Sequence, residues 1–195
     1  QFIEKKEIRK LDPFSIYALS AAKEAVDSSN INFKNINLDR AGVIIATGIG
    51  GIQTLENEHD IINNRGPRRV SPLFVSKMIP NIAGGHLSMK FGFRGPSQTI
   101  ISACASSNDA IGIALRLIRY GDADIMLTGG TEASITPLTI SGFANMKALS
   151  QNCTNPTKAS RPFDADRDGF VLSEGAGILM LESEEHALKR EAPIL

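Results

Sequence analysis

The spacing of apolar residues along the chain predicts helices alternating with buried strands. Asp12-Pro13 precedes an apolar-periodic run carried by Tyr17, Leu19, Ala22, Ala25 and Val26. This predicts a helix with Asp12 as N-cap and Pro13 at its first position, stopped by Ser28-Ser29-Asn30. Val43-Ile44-Ile45-Ala46 is a short continuous apolar run, the pattern of a strand buried on both faces. It leads into Gly48-Ile49-Gly50-Gly51, a more polar helix predicted over 52–63, and a basic turn at 65–69. Residues 72–92 read as helical pieces, broken at Pro80 and at Gly84-Gly85.

The pattern is clearest from residue 99 onward. Thr99-Ile100-Ile101-Ser102 is a predicted strand, and Ala103-Cys104-Ala105 a turn into a helix. That helix carries Ile111, Ala114, Leu115 and Ile118 at i, i+3, i+4, i+7, and Gly121 ends it. A strand over 124–128 runs to Gly129-Gly130. A helix over 137–147, a polar loop over 149–163, a strand over 175–181 and a charged helix over 182–190 complete the pattern. Strands alternating with helices imply an α/β fold whose mostly parallel sheet is covered on both faces.

Composition narrows the functional classes. A chain of 195 residues with 42% hydrophobic and 22% charged residues is globular and long enough for a substantial core. Lys plus Arg and Asp plus Glu each number 21, so the net charge is zero and the basic excess of a nucleic-acid binder is missing. No apolar stretch approaches the roughly 20 residues that a membrane-spanning helix needs. No nucleic acid or membrane is therefore expected as a partner. The two cysteines, Cys104 and Cys153, make neither a disulfide framework nor a four-ligand zinc site, and they suit a reducing compartment.

Cys104 is the leading chemical candidate. Helix N-termini favour thiolates, and the unpaired N–H groups there also stabilise an oxyanion. Small neighbours (Ser102, Ala103, Ala105, Ser106, Ser107) leave room for a substrate. Position alone is equally consistent with a small apolar core residue. Cys153 reads as an incidental thiol in a polar loop. His59, His86 and His186 lack metal-ligand spacing and read as structural or surface residues. Gly48-Ile49-Gly50-Gly51 has no Gly-Lys-Ser/Thr and reads as a close backbone approach. Asp164, Asp166 and Asp168 alternate as in a calcium loop, but Gly175 stands where an EF-hand needs its Glu, so a turn held by Arg–Asp pairs is expected. The cations Lys5, Lys6, Arg9 and Lys10 read, by themselves, as a solvated face.

Several segments together resemble the β-ketoacyl-[acyl-carrier-protein] synthases, condensing enzymes of the thiolase-like superfamily. They are Ala46-Thr47-Gly48-Ile49-Gly50-Gly51, Ser71-Pro72-Leu73-Phe74-Val75, Gly92-Phe93-Arg94-Gly95-Pro96 and Ser102-Ala103-Cys104-Ala105. Further along are Gly121-Asp122-Ala123-Asp124, Gly129-Gly130-Thr131-Glu132-Ala133, Ala159-Ser160-Arg161-Pro162-Phe163-Asp164, Arg167-Asp168-Gly169-Phe170-Val171 and Glu174-Gly175-Ala176-Gly177. The resemblance implies a thiolase-like αβαβα layering with mixed sheets. It implies that Cys104 is the nucleophile, taking an acyl group from acyl carrier protein before decarboxylative condensation with malonyl-carrier protein. Ile49 and Phe143 would line the acyl pocket, and Phe74 would reach the partner's pocket across a homodimer interface. Lys6, Arg9 and Lys10 would dock the acidic carrier protein. A branched residue at 49 is closer to the type II enzymes, whereas Cys104-Ala105-Ser106-Ser107 is closer to type I. No cofactor or metal is implied. The location implied is cytoplasmic, or a plastid or mitochondrial matrix. A chain-length-factor-like partner subunit and a polyketide ketosynthase are the alternatives.

The same resemblance sets an expectation for extent. The chain opens on Gln1 and closes on Ala192-Pro193-Ile194-Leu195, which reads as a piece of a longer protein. The family's two catalytic histidines, its active-site lysine and its Gly-Phe-Gly-Gly loop belong to a C-terminal half, and its first strand would precede Gln1. Residues 1–195 are thus expected to be most of the N-terminal half, able to hold Cys104 but not to condense alone.

Overall fold

The computed structural model describes residues 3–194. Helix α1 (Lys5–Ile8) is a single turn, and α2 (Pro13–Ser28) follows it with Asp12 as N-cap, its Oδ1 accepting from the Phe14 N–H at 3.3 Å. Asp12 does more than cap. Its Oδ2 accepts from the Thr54 N–H at 3.0 Å and the Thr54 hydroxyl at 2.6 Å, so one fully buried carboxylate joins the starts of α2 and α3 (Ile52–Arg65).

The sheet has four strands in the order β2-β1-β3-β4. Strand β1 (Ala41–Ala46) pairs in parallel with β2 (Ser97–Ile100) and β3 (Ile125–Glu132), whereas β4 (Gly175–Glu182) runs antiparallel to β3. All six residues of β1 are buried, and they divide between two cores. Ala41, Val43 and Ile45 pack with Phe14, Ala18, Ala22 and Leu87 from α2 and α5 (Ile82–Phe91). Ile44 and Ala46 pack with Ala110, Ala114 and Met126 under α6 (Ser106–Arg119). This is the covered, mainly parallel sheet that the apolar runs predict, with the antiparallel strand making it mixed.

Some expected details change. Gly84-Gly85 does not break α5, because Gly84 is buried inside that helix; the break falls at Pro80, between α4 (Phe74–Met78) and α5. On α6 the most buried residues are Ser106, Ala110 and Ala114, with Leu115 exposed and Ile111 half-buried. A helix lies close to a sheet through its small side chains, so Ala110 and Ala114 face the strands; of the expected stripe Ala114 is buried and Ile118 packs beside it, while Leu115 turns out to solvent. β3 continues through Gly129-Gly130 to Glu132, and β2 ends at Ile100, before the turn. α7 spans Pro137–Asn145. α8 spans Glu184–Lys189, leaving Glu182 in β4. His186 is not a solvated residue beside Glu184 and Glu185: its Nδ1 meets the carboxylate of Glu182, which also takes Arg190 Nε at 2.7 Å and Nη2 at 2.6 Å. Asp168 binds mainly Ser150 Oγ (2.6 Å) and the Gln151 N–H (2.9 Å), and Arg161 lies farther off at 3.7 Å. That turn is held more by hydroxyl and backbone donors than by Arg–Asp pairs.

Candidate active site

The three parallel strands point the same way, so their C-terminal ends form one edge of the sheet. Ala46 is in register with Ile100 on one side and Gly130 on the other, and β4 begins at that edge, with Gly175 opposite Glu132. A cavity of about 380 Å³ opens there. Its walls are Thr47 and Gly48 after β1, Ala103, Cys104, Ser106 and Ser107 after β2, Gly130, Thr131 and Glu132 at the end of β3, and Ser173, Glu174 and Gly175 at the start of β4. Ligands of open α/β sheets bind outside the carboxyl ends of the strands, which is where this cavity lies.

Cys104 sits in a single 3₁₀ turn, Ala103–Ala105, that feeds directly into α6. It is exposed at the surface of this chain and not packed in either of its two cores. The turn is tight. Ala103 has φ of 52°, a left-handed conformation that an alanine rarely adopts. The buried Ser106 hydroxyl holds it: Oγ accepts from the Ser102 N–H at 2.8 Å and donates to the Ala103 carbonyl at 2.7 Å. The Ser102 hydroxyl in turn donates to Asp109 in the first turn of α6. Gly130 lies so close that a Cβ there would stand 2.0 Å from Ser107 Oγ. Strand β3 therefore meets the start of α6 through a residue without a side chain.

Two carboxylates flank the thiol cavity. Glu132 Oε2 accepts from the Gly48 N–H at 2.6 Å, and Oε1 accepts from the Thr47 hydroxyl at 3.3 Å. Burial pushes the Glu132 carboxyl above its ordinary pKa, against the opposing pull of these donors. Glu174 accepts from the Tyr17 hydroxyl at 3.1 Å and from the Ile135 N–H at 2.8 Å, linking α2 to the cavity rim. Burial and the Glu174 carboxylate raise the Tyr17 pKa. Glu132 and Glu174 lie in motifs that were visible in the sequence, but nothing there distinguished them from surface acids. Their position at the end of one strand and directly before another was the available signal.

The other expected site residues fall outside this cavity's walls. Ile49 follows Gly48 and is 40% exposed. Phe143, on α7, packs edge-on against Phe170 with ring centroids 5.0 Å apart. Phe74 is half-buried at the start of α4. Lys6, Arg9 and Lys10 are exposed on α1 and the turn after it. His59 is exposed and His86 half-buried, and neither lines the cavity of Cys104. Cys153 is exposed in the polar loop, as expected.

The mixed α/β sheet, with a cysteine on the turn between a strand end and a helix, has the architecture of the ketosynthases whose solved structures it superposes on. Residues 1–187 match the β-ketoacyl synthase N-terminal domain model, and the chain belongs to the β-ketoacyl synthase family. It is 45% identical over 194 residues to the 3-oxoacyl-[acyl-carrier-protein] synthase 2 of Synechocystis sp., covering all of this chain and 47% of that one. Among solved structures, a β-ketoacyl synthase from Burkholderia phymatum STM815 superposes with a TM-score of 0.86 at 30% identity, over 98% of this chain and 47% of that one. The AntDE:AntF structure, a type II PKS acyl-carrier protein in complex with its ketosynthase bound to the hexaketide, gives 0.81 at 27% identity, covering 98% and 52%. The chain thus spans about half the length of the curated relative it matches. Among the described residues no helix is long and apolar enough to cross a membrane.

Proposed function

We propose that the whole polypeptide carrying this chain is a 3-oxoacyl-[acyl-carrier-protein] synthase of fatty acid elongation, with Cys104 as its nucleophile. The observation that carries the reading is the exposed thiol on a hydroxyl-clasped turn at the start of α6, facing a cavity at the strand ends. The Cys104 thiolate attacks the acyl-carrier thioester, the carrier's thiol leaves, and the acyl group rests on Sγ. N–H groups at the start of α6 stabilise the oxyanion of that step. Malonyl-carrier protein then loses carbon dioxide, and the resulting carbanion attacks the acyl-Cys104 carbonyl. The products are a 3-oxoacyl-carrier protein two carbons longer and the free thiolate.

In this reading Ile49 and Phe143 bound the acyl chain, and Phe74 reaches a partner subunit's pocket in a homodimer. Lys6, Arg9 and Lys10 meet the acidic carrier protein. The exposure of all three cations, and a relative's complex of a carrier protein with its ketosynthase, support the docking role. The groups that stabilise decarboxylation belong to a C-terminal half, and the protein works in the cytoplasm. Cys104 favours this reading over a non-catalytic partner subunit, which has no use for a nucleophile. The test is to incubate the whole polypeptide with acyl-carrier protein and map the adduct by mass spectrometry. Acylation at Cys104, lost in Cys104→Ala, is the expected result. Acylation confined to Cys153, or none, overturns the reading.

A further inference from the structure

The Glu132 carboxylate has an unusual set of donors for a residue on the wall of a thiol cavity. It accepts from the Gly48 N–H at 2.6 Å and from the Thr47 hydroxyl at 3.3 Å, and the Ile49 and Ala133 amides also favour its charged form. The sheet register explains the reach. Ala46 pairs with Gly130, so two residues farther along the parallel strands Glu132 stands beside Gly48. The fit is close, since a Cβ on Gly48 would lie 2.7 Å from Glu132 Oε2. The Thr47 hydroxyl also accepts from the Gly50 N–H at 3.1 Å. The whole turn after β1 is therefore tied, directly or through Thr47, to one side chain of β3.

We infer that Glu132 is a specificity-determining positioning residue, whose carboxylate fixes the backbone of residues 47–49 and thereby the Ile49 side chain relative to Cys104. The inference rests on the reading that Ile49 bounds the acyl chain. Removing the carboxylate leaves the part-buried Gly48 amide and the Thr47 hydroxyl without this acceptor, and the turn then shifts to find new ones. A displaced Ile49 alters the space offered to the acyl chain, while the Ser106 clasp that shapes the Cys104 turn stays intact.

The test measures acylation of Cys104 in the whole polypeptide with short-, medium- and long-chain acyl-carrier proteins, alongside alkylation of the same thiol by iodoacetamide. Glu132→Ala and Glu132→Asp, the latter keeping the charge but too short to reach Gly48, are expected to change the long-to-short rate ratio about fivefold or more. Alkylation, which needs no acyl space, reads any general change at the thiol, and such a change cancels in the long-to-short ratio. Glu132→Gln retains an acceptor for the Gly48 N–H and should keep the wild-type ratio. An unchanged ratio in the Asp variant overturns the inference, and so does a Gln variant that behaves like the Ala variant, since charge rather than the bond would then matter. A wild-type protein that takes no acyl group overturns the underlying reading as well. Acylation by wild type with an unchanged ratio in the variants overturns this inference alone.

Discussion

The Ser106 hydroxyl accepts the Ser102 N–H at 2.8 Å, closing the chain on itself around Cys104. Its second bond, to the Ala103 carbonyl at 2.7 Å, holds that residue at a φ of 52°. One buried hydroxyl thus ties the two residues before the thiol to the helix that follows it.

Ser106→Ala removes both bonds and leaves the Ser102 N–H without this acceptor, while the Ala103 carbonyl keeps the Ser106 N–H. The expected cost is about 1–3 kcal/mol of stability, read by urea denaturation. Alkylation of Cys104 by iodoacetamide should change rate, whereas that of Cys153, far along the chain in a polar loop, should not.

Gly130→Ala places a methyl group against Ser107 at the start of α6. Overpacking of this kind costs about 1–3 kcal/mol. Most of the overlap is with Ser107 Oγ, so Ser107→Ala in the same chain should recover part of the loss. A double-mutant cycle measured by thermal melting reads the coupling between the two positions directly.

Glu182 joins β4, α8 and, through Arg190, the end of α2, where Arg190 Nη1 donates to the Ser29 carbonyl at 2.9 Å. Burial works against the charged Glu182 carboxylate, but the hydrogen bonds from Arg190 and His186 outweigh it and hold its pKa below the ordinary value. The unfolded chain therefore takes up its proton at a higher pH than the folded one. The stabilisation is present above the ordinary Glu pKa, about 4.3, and fades as pH falls through the lower folded value. Glu182→Gln should destabilise the protein by about 2–4 kcal/mol at neutral pH, with the gap to wild type narrowing on acidification. Denaturation curves taken across the acid range check both the size and the sign.

If Lys6, Arg9 and Lys10 dock the carrier as proposed, their reversal to Glu in the whole polypeptide should raise the KM for acyl-carrier protein about tenfold or more, with kcat held, and flatten its dependence on ionic strength. Steady-state kinetics at two salt concentrations distinguish this from a general loss of activity, which would lower kcat as well.

The helix and strand order was readable because it depends on local pattern. The Asp12-Pro13 helix start needs only a capping side chain and a fixed φ, and β1 needs only a run of apolar residues. The α6 face was readable only in part: Ala114 and Ile118 meet the core as the stripe predicts, but Ala110 replaces Leu115 there, because both satisfy helical periodicity. Which stripe meets the sheet depends on how closely the helix must approach it.

The site divides in the same way. Cys104 stood out because thiols are scarce here and this one falls at a predicted strand-to-helix turn. Ser106, Glu132 and Glu174 are ordinary residues by type. Their roles arise from partners far off in sequence or across a sharp turn: Gly48 lies 84 residues from Glu132, and Tyr17 lies 157 from Glu174. The sequence by itself determined the elements and the nucleophile candidate, which follow from local periodicity and residue chemistry, and its motifs carried the family resemblance. Only the tertiary structure decided which hydroxyl and which carboxylates hold the thiol's surroundings, because parallel pairing brings the ends of distant strands to one edge.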